Sequence, residues 1–443
     1  MKKIIYKISI LFIAFVSCFS IESCDKEYIN PSAASGPSVV SNVDGLMNLC
    51  AGLQRRFSIG RQSPIYTAPI SGAYSVYALN TLNPGNLAEA ALQGGKGAVQ
   101  GDNAIVSQLW AQNLLLKAES ENILNNLTVA VDPTDKVGIK AYASIFYALS
   151  LGTLSQFFEK IPLVIESNAT FAPRIDVLQT AITALESADA DLNVTSPSAK
   201  FLSRVPPGID VKNTVKALLA RYYTMHSMAT GNYNAASGNK AIAFAQAASL
   251  TIKSEFRFTA ATTNPLGEQN VTQNVYGAID STLGLRNGLA PVPASTDPRI
   301  GFYISRSGTI FPMKGFSQLI NTAYPVYLPG EMLLIVAENQ ARLGAFNLSK
   351  IALDAVRTKT TDAFGIGASQ PAYTGALSAT ELLQDIYKQR RIELFFSGME
   401  LEDARRFNRP APGVPIEERN RTFFPYSLIE RQNNTSTPAD PAI

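Results

Sequence analysis

The chain has 443 residues, 46% hydrophobic and 16% charged, with 38 Lys and Arg against 35 Asp and Glu for a formal charge of +3. That composition excludes a disordered chain and allows a large core, and the charge is far too small for the electrostatic footprint of a nucleic-acid binder. One histidine, His226, and three cysteines leave too few ligands for a His-rich or Cys-rich metal centre.

The N-terminus reads as a targeting segment. "MKKIIYK" is a positive n-region, and "ISILFIAFVSCFSI" is an apolar h-region too short to span a bilayer. "IESC" closes the segment at Cys24, with Ser23 before the cysteine and Ile21 three before it, the pattern of a lipoprotein signal in which Cys24 is acylated. Glu22 is unusual at its position, and Cys18 in "FVSC" is a rival acceptor. Removing residues 1–23 takes away a net +2 and leaves the mature chain near +1. Cys50 would then have no disulfide partner. No later apolar run reaches about 18 residues, so the expectation is a chain anchored by lipid rather than inserted. "DKEYINPSAASGPS" makes 24–39 a flexible tether, and residues 40–443 form one domain.

Residues 40–58 carry a short helical signal. Residues 59–103, rich in Gly, Pro, Asn and Tyr, read as a long irregular segment of the kind that carries function. Apolar residues at helical spacing predict helices over 104–127, 135–158, 175–192, 211–230 and 240–252. Residues 255–327 read as irregular again. "PGEMLLIVAENQARLG" and "LSKIALDAVRTK" predict a further helix pair, "SATELLQDIYKQRRIELFFSG" and "MELEDARRFN" another, and "FFPYSLIERQNN" an extended C-terminal end.

Two turns repeat. "GNYNAA" (231–236) and "GAFNLS" (344–349) share a Gly-x-aromatic-x-x-small pattern between amphipathic helices. This is the turn of a tetratricopeptide unit: Gly allows the reversal, the aromatic packs beneath it, and the small residue lets the helices approach. With pairs over 104–158 and 379–407, the prediction is a mainly α fold, a scaffold of four tetratricopeptide-like helix pairs carrying long irregular loops.

Catalytic chemistry has little support. No Gly-x-Ser-x-Gly accompanies the single histidine, and His226 reads as a packing residue of its hairpin. "GGKGAVQGD" lacks the Lys-Ser/Thr of a phosphate loop and reads as surface loop. No carboxylate pair stands out as a glycosidase pair, and no cofactor motif is present. The two Arg pairs in "RRIELFFSGMELEDARRF" read as structural: Arg390, Arg391, Arg405 and Arg406 have Glu393, Glu400, Glu402 and Asp403 within the same two helices, with Phe395 and Phe396 between them.

Taken in order, these segments resemble the SusD/RagB family of surface-exposed nutrient-binding lipoproteins. The Arg-Arg-x-Glu-Leu run, the Phe-x-Gly element and the Asp-x-x-Arg helix are matched by Arg390, Arg391, Glu393, Leu394, Phe396, Gly398, Asp403, Arg405 and Arg406, with Ser397 where the family commonly has Glu and Met399 and Leu401 where it has a basic or aromatic residue. "LWAQNLLLKAESENILNNL", "KAYASIFYALSLGTLSQFFEKIPLV", "STDPRIGFYI", the helix pair from "YPVYLPGEM" onward, and "FFPYSLIERQNN" are similar to further family segments, so the resemblance covers residues 24–434. It implies a SusD-like fold, a lipid-anchored place on the outer face of a Bacteroidetes-type outer membrane, and no enzymatic activity. It also implies a partner, a SusC-like TonB-dependent transporter over which the protein acts as a hinged lid, and an oligosaccharide or other nutrient as ligand.

Ligand residues in such proteins generally come from the irregular segments. The candidates are Tyr66, Tyr74 and Tyr77 with Asn80 and Asn83 in the first segment, and Tyr276, Phe302 and Tyr303 with Asn274 and Arg286 in the second. The single tryptophan, Trp110, lies on a core helix. Its loss as a platform leaves peptides open as cargo, and a tetratricopeptide interaction lipoprotein is the reading from another class. Glycan binding asks for several of these aromatics exposed on one surface; an interaction scaffold would bury them.

Overall fold

The computed structural model describes residues 39–285 and 292–443. Cys24, Cys18, the signal segment, nearly all of the tether and Arg286 lie outside the described residues.

Helix α1 (Val43–Ser58) starts where the Asn42 side chain accepts from Gly45 N at 2.8 Å. Helices α2 (Pro64–Ser75) and α3 (Leu87–Gly94) precede the long core pair α4 (Ala104–Asn125) and α5 (Pro133–Phe157). Asn103 caps α4, and Asp132 with Pro133 at the first position starts α5. Then come α6 (Arg174–Val194), the short α7 (Ala199–Arg204), α8 (Val211–Ser227) and α9 (Ala235–Ala247). After the second loop region and its short α10 (Pro298–Tyr303), α11 (Pro329–Arg342), α12 (Phe346–Thr358), α13 (Ala379–Glu393), α14 (Glu400–Arg406) and α15 (Leu428–Asn433) complete the chain. Helix α5 is long and apolar enough to cross a membrane, but 94% of that window is buried inside the protein, which marks a core helix.

Helices pack on their successors: α4 on α5, α5 on α6, α6 on α8, α8 on α9, α9 on α11 and α11 on α12. The repeated turns behave as their sequence predicts. Gly231 (φ 84°) and Gly344 (φ 79°) take the left-handed conformation that reverses the chain. The Tyr233 hydroxyl reaches Asn339 across the repeat boundary, 3.3 Å from its carbonyl oxygen. The expected fourth pair differs: α13 lies against α11 and α12, while α14 packs mainly on α2 and α5. Most apolar side chains form one core, with a smaller one between α11, α12 and α13 around Leu334, Leu353 and Ile386.

The segment 59–103 is more ordered than its composition suggests. All of α2 is buried, with Pro69 inside it. Its small residues explain the fit: a Cβ on Gly72 would lie 2.5 Å from Glu400 Oε2 and 3.1 Å from the Gly398 backbone. The second segment stays largely irregular. The two regions meet in an antiparallel ribbon of β1 (Leu79–Thr81) and a second strand (Tyr276–Ala278), in register Leu79 to Ala278, Asn80 to Gly277 and Thr81 to Tyr276. The C-terminal end is not extended throughout, because Leu428–Asn433 is helical and the Trp110 indole donates to Glu430 Oε2 at 3.1 Å. Trp110 is 2% exposed and stacks on Phe171, as a core tryptophan should.

The arginine-rich motif is a buried ion-pair network, but it reaches beyond its own two helices. Arg390 Nε donates to Asp403 at 2.8 Å, and Arg405 Nη2 to Glu402 at 2.5 Å, as the sequence indicates. Arg406 instead forks onto Glu338 of α11 with two bonds of 2.8 Å and adds a third to Asp403. Glu393 serves Arg299, from the Asp-Pro-Arg segment, at 3.1 Å and also pairs with Lys359. Among the described residues Arg391 pairs with no carboxylate; it donates to the Tyr387 hydroxyl and the Leu283 carbonyl, each at 3.0 Å. Burial opposes ionisation of Glu338, yet the Arg406 and Arg342 guanidinium groups outweigh it and hold the carboxyl at about 2.

Candidate functional site

The first loop region carries two polar features. One is a cleft of about 400 Å³ lined by Arg61 and Gln62 just before α2, by Thr67, by residues 85–89 and by the first turns of α4. Glu89 sits in the first turn of α3, where a carboxylate favours the helix N-terminus. It faces inward and is fully buried. Its Oε1 accepts from the Tyr66 hydroxyl at 2.7 Å and from Arg61 Nη2 at 2.5 Å, while Oε2 has no hydrogen-bond partner. Arg61 is 44% exposed, donates also to Asn86 Oδ1 at 2.9 Å, and lies 5.9 Å over the Tyr66 ring. Burial, together with the Glu89 charge, pushes the Tyr66 hydroxyl well above its ordinary range, so it acts as a neutral donor.

The other is a polar surface built on β1. Asn80 Oδ1 accepts from Gln93 Nε2 at 3.2 Å, and Gln93 Oε1 accepts from the Thr81 amide at 2.7 Å. Beside it the Tyr77 hydroxyl donates to Glu417, which also pairs with Lys96 Nζ at 2.9 Å. Tyr77 (φ 59°) and Lys96 (φ 46°) both hold left-handed backbone, a strained geometry for side chains of this size. Asn420 stitches the region, its amide donating to the carbonyls of Tyr74 and Leu92, each at 3.1 Å. Polar groups of this kind can satisfy the hydroxyls of a ligand laid across them.

The sequence-predicted aromatics do not form a platform. Tyr66, Tyr74, Tyr276 and Tyr303 are buried at 2% exposure or less. Each is held by its hydroxyl: Tyr74 to Thr81 at 2.9 Å, Tyr276 to the Leu266 carbonyl at 2.8 Å, Tyr303 to the Glu393 carbonyl at 2.6 Å. These rings belong to the core. Phe302 is half-buried against Tyr303 and Phe316, and Tyr77 is half-buried beside Glu417. Asn80 is partly exposed, and Asn83 and Asn274 are exposed. The ribbon therefore brings the first-segment candidates near Tyr276, but Tyr303 packs elsewhere, against the end of α13 and its following turn, and Phe302 lies beside it against Phe316. Arg61, Glu89, Gln93 and Glu417 were not anticipated. The signal available for Glu89 was a lone acid on the apolar stretch "LAEAAL". Among the described residues no group of His, Cys, Asp and Glu could hold a metal ion. His226 packs in its hairpin, Nδ1 2.9 Å from Ser237 Oγ.

Residues 221–439 match the model of the SusD family. A SusD homolog from Bacteroides thetaiotaomicron shares the fold with a TM-score of 0.69 at 15% identity, over 90% of this chain and 98% of that one. A SusD superfamily protein from Parabacteroides distasonis does so at 0.69 and 14% identity, over 90% and 98%. A SusD-like carbohydrate binding protein from Bacteroides vulgatus gives 0.67 and 14%, over 89% and 97%. No curated protein matches the sequence. Residues 221–439 belong to the SusD family, and the fold shared with its solved members extends over the remainder of the chain.

Proposed function

We propose that this protein is a cell-surface glycan-binding lipoprotein that captures oligosaccharide and passes it to a SusC-like TonB-dependent transporter in the outer membrane. Family membership supports the binding role, and a fold neighbour from Bacteroides vulgatus is itself described as a carbohydrate binding protein. The observation that carries the reading is the junction of the two loop regions at β1, where the Asn80 and Gln93 side-chain amides are bonded to each other at the surface, together with the cleft of the same first loop region that Arg61 lines. Anchoring through Cys24 and lid-like docking on the transporter complete the proposal.

The test is calorimetric titration of the chain from residue 25 onward against an oligosaccharide panel. Saturable binding that weakens in Asn80→Ala supports the reading. Saturable binding to peptides with none to any glycan would replace sugar by peptide as cargo. Recovery of the lipoprotein without a transporter from mildly solubilised outer membranes would count against the partnership. One observation favours the interaction-scaffold reading: Leu348 and Ile351 of α12 are 53% and 67% exposed, one helical turn apart, while four of the candidate tyrosines are buried.

A further inference from the structure

We infer that the Arg61 cleft is a subsite for a carboxylate, and that the glycan taken by this protein carries an acidic sugar residue such as a uronic acid. The inference rests on the glycan-binding reading and names the chemistry it selects.

The cleft, about 400 Å³, falls within the range of small-molecule pockets. Arg61 and Glu89 are the only ionisable side chains among its lining residues. They present themselves unequally. Glu89 is fully buried and gives its Oε1 to Arg61 and Tyr66, whereas the guanidinium stands 44% exposed at the opening. What meets an incoming ligand is therefore positive charge.

The guanidinium is also fixed. Nη2 is spent on Glu89 and Asn86, and the Tyr66 ring lies beneath. Nε and Nη1, with three N–H donors, meet no carboxylate or carbonyl acceptor among the described residues; besides Glu89 and Asn86 only the Tyr66 hydroxyl interacts with the guanidinium. A buried carboxylate is a costly way to secure a half-exposed arginine, because its desolvation is large and a solvent-screened pair returns little. The same arrangement is effective for holding a guanidinium with one edge free, since a pre-oriented arginine fork loses little freedom on binding an oxyanion. Gln62 and Gln108 lie at the rim, with side-chain amides suited to neighbouring hydroxyls.

The experiment is titration of the chain from residue 25 onward with a uronate trisaccharide and with the neutral trisaccharide of the same linkage. Expected is a preference for the uronate of roughly tenfold to a hundredfold, the value of a charge-assisted bond, shrinking as salt is raised. Arg61→Gln combined with Glu89→Gln removes both charges without stranding a buried carboxylate. That variant should bind the two sugars alike. Arg61→Lys, which keeps the charge and loses the fork, should fall between. Equal affinity for both sugars in the wild type, or a preference that survives in the double variant, overturns the subsite and leaves glycan binding standing. Inorganic phosphate competing as strongly as the uronate overturns the sugar-acid assignment in favour of a free oxyanion. No binding to either sugar overturns both this inference and the uptake reading on which it rests.

Discussion

Replacing Arg406 by Met tests the claim that the arginine motif is structural. The guanidinium is 2% exposed and makes three hydrogen bonds of 2.8 Å, two to Glu338 and one to Asp403. Removing it leaves Glu338, itself unexposed, with only Arg342 at 3.1 Å, and Asp403 with only Arg390. Breaking one side of a buried pair costs about 3–5 kcal/mol, because the remaining charge keeps its desolvation penalty. Replacing both partners by apolar groups restores much of the loss, so Arg406→Met with Glu338→Met should lie well above the sum of the single variants. The buried Trp110 supplies the probe, since its fluorescence reports exposure of the core on denaturant unfolding. A loss below about 1 kcal/mol in Arg406→Met, or strictly additive effects in the pair, would refute the reasoning.

Four further outcomes are expected. Glu400 is pushed up to about 7 by burial, so the folded state holds its proton between about pH 4.5 and 7 and loses that stabilisation as pH rises through this window; Glu400→Gln should therefore be more stable than the wild type at pH 8 by about 2–3 kcal/mol, with the gap closing toward pH 4.5 in denaturant titrations. Glu338 has the opposite sign: its stabilisation is present above about pH 4.5 and is lost as pH falls toward 2, so acid unfolding should begin at higher pH in Arg406→Met. Gly72→Ala forces a methyl against Glu400 and the 398 backbone, and should cost about 1–3 kcal/mol in thermal or denaturant unfolding. Cys24→Ala should abolish labelling by a fatty-acid probe in cells, and loss of labelling in Cys18→Ala instead would move the acylation site.

The scaffold was legible because its helices satisfy local rules. The α4 to α9 run and the α11–α12 pair carry apolar residues at helical spacing, polar caps such as Asp132, Asp210 and Asn234, and glycine turns at 231 and 344. Helix α2 broke those rules. Pro69 and Gly72 argue against a helix interior, and "PIYTAPISGAYS" has no polar face because all twelve residues are buried. Tertiary packing imposes the helix there, and no spacing argument could have supplied it. Tyrosine was ambiguous for a similar reason. A loop tyrosine can stack on a sugar, or it can bury its ring and send its hydroxyl to a carbonyl, as Tyr276 and Tyr303 do.

The candidate site itself was hidden by chain separation. Arg61 and Glu89 are 28 residues apart, Tyr77 and Glu417 340 apart, and neither interval has a helical or strand period. The motif arginines were visible because they cluster, yet clustering marks structure here. Arg299 shows what a structural arginine looks like: it is fully buried and its Nε, Nη1 and Nη2 donate to Asp297, Glu393 and Gln389. Arg61 is also held by a buried carboxylate, but it spends only Nη2 on Glu89 and Asn86 and stands 44% exposed on a cleft. The donor edge left over after the protein has satisfied itself is what a ligand can use, and it becomes visible only once the fold has brought Arg61 against Glu89 and Tyr66.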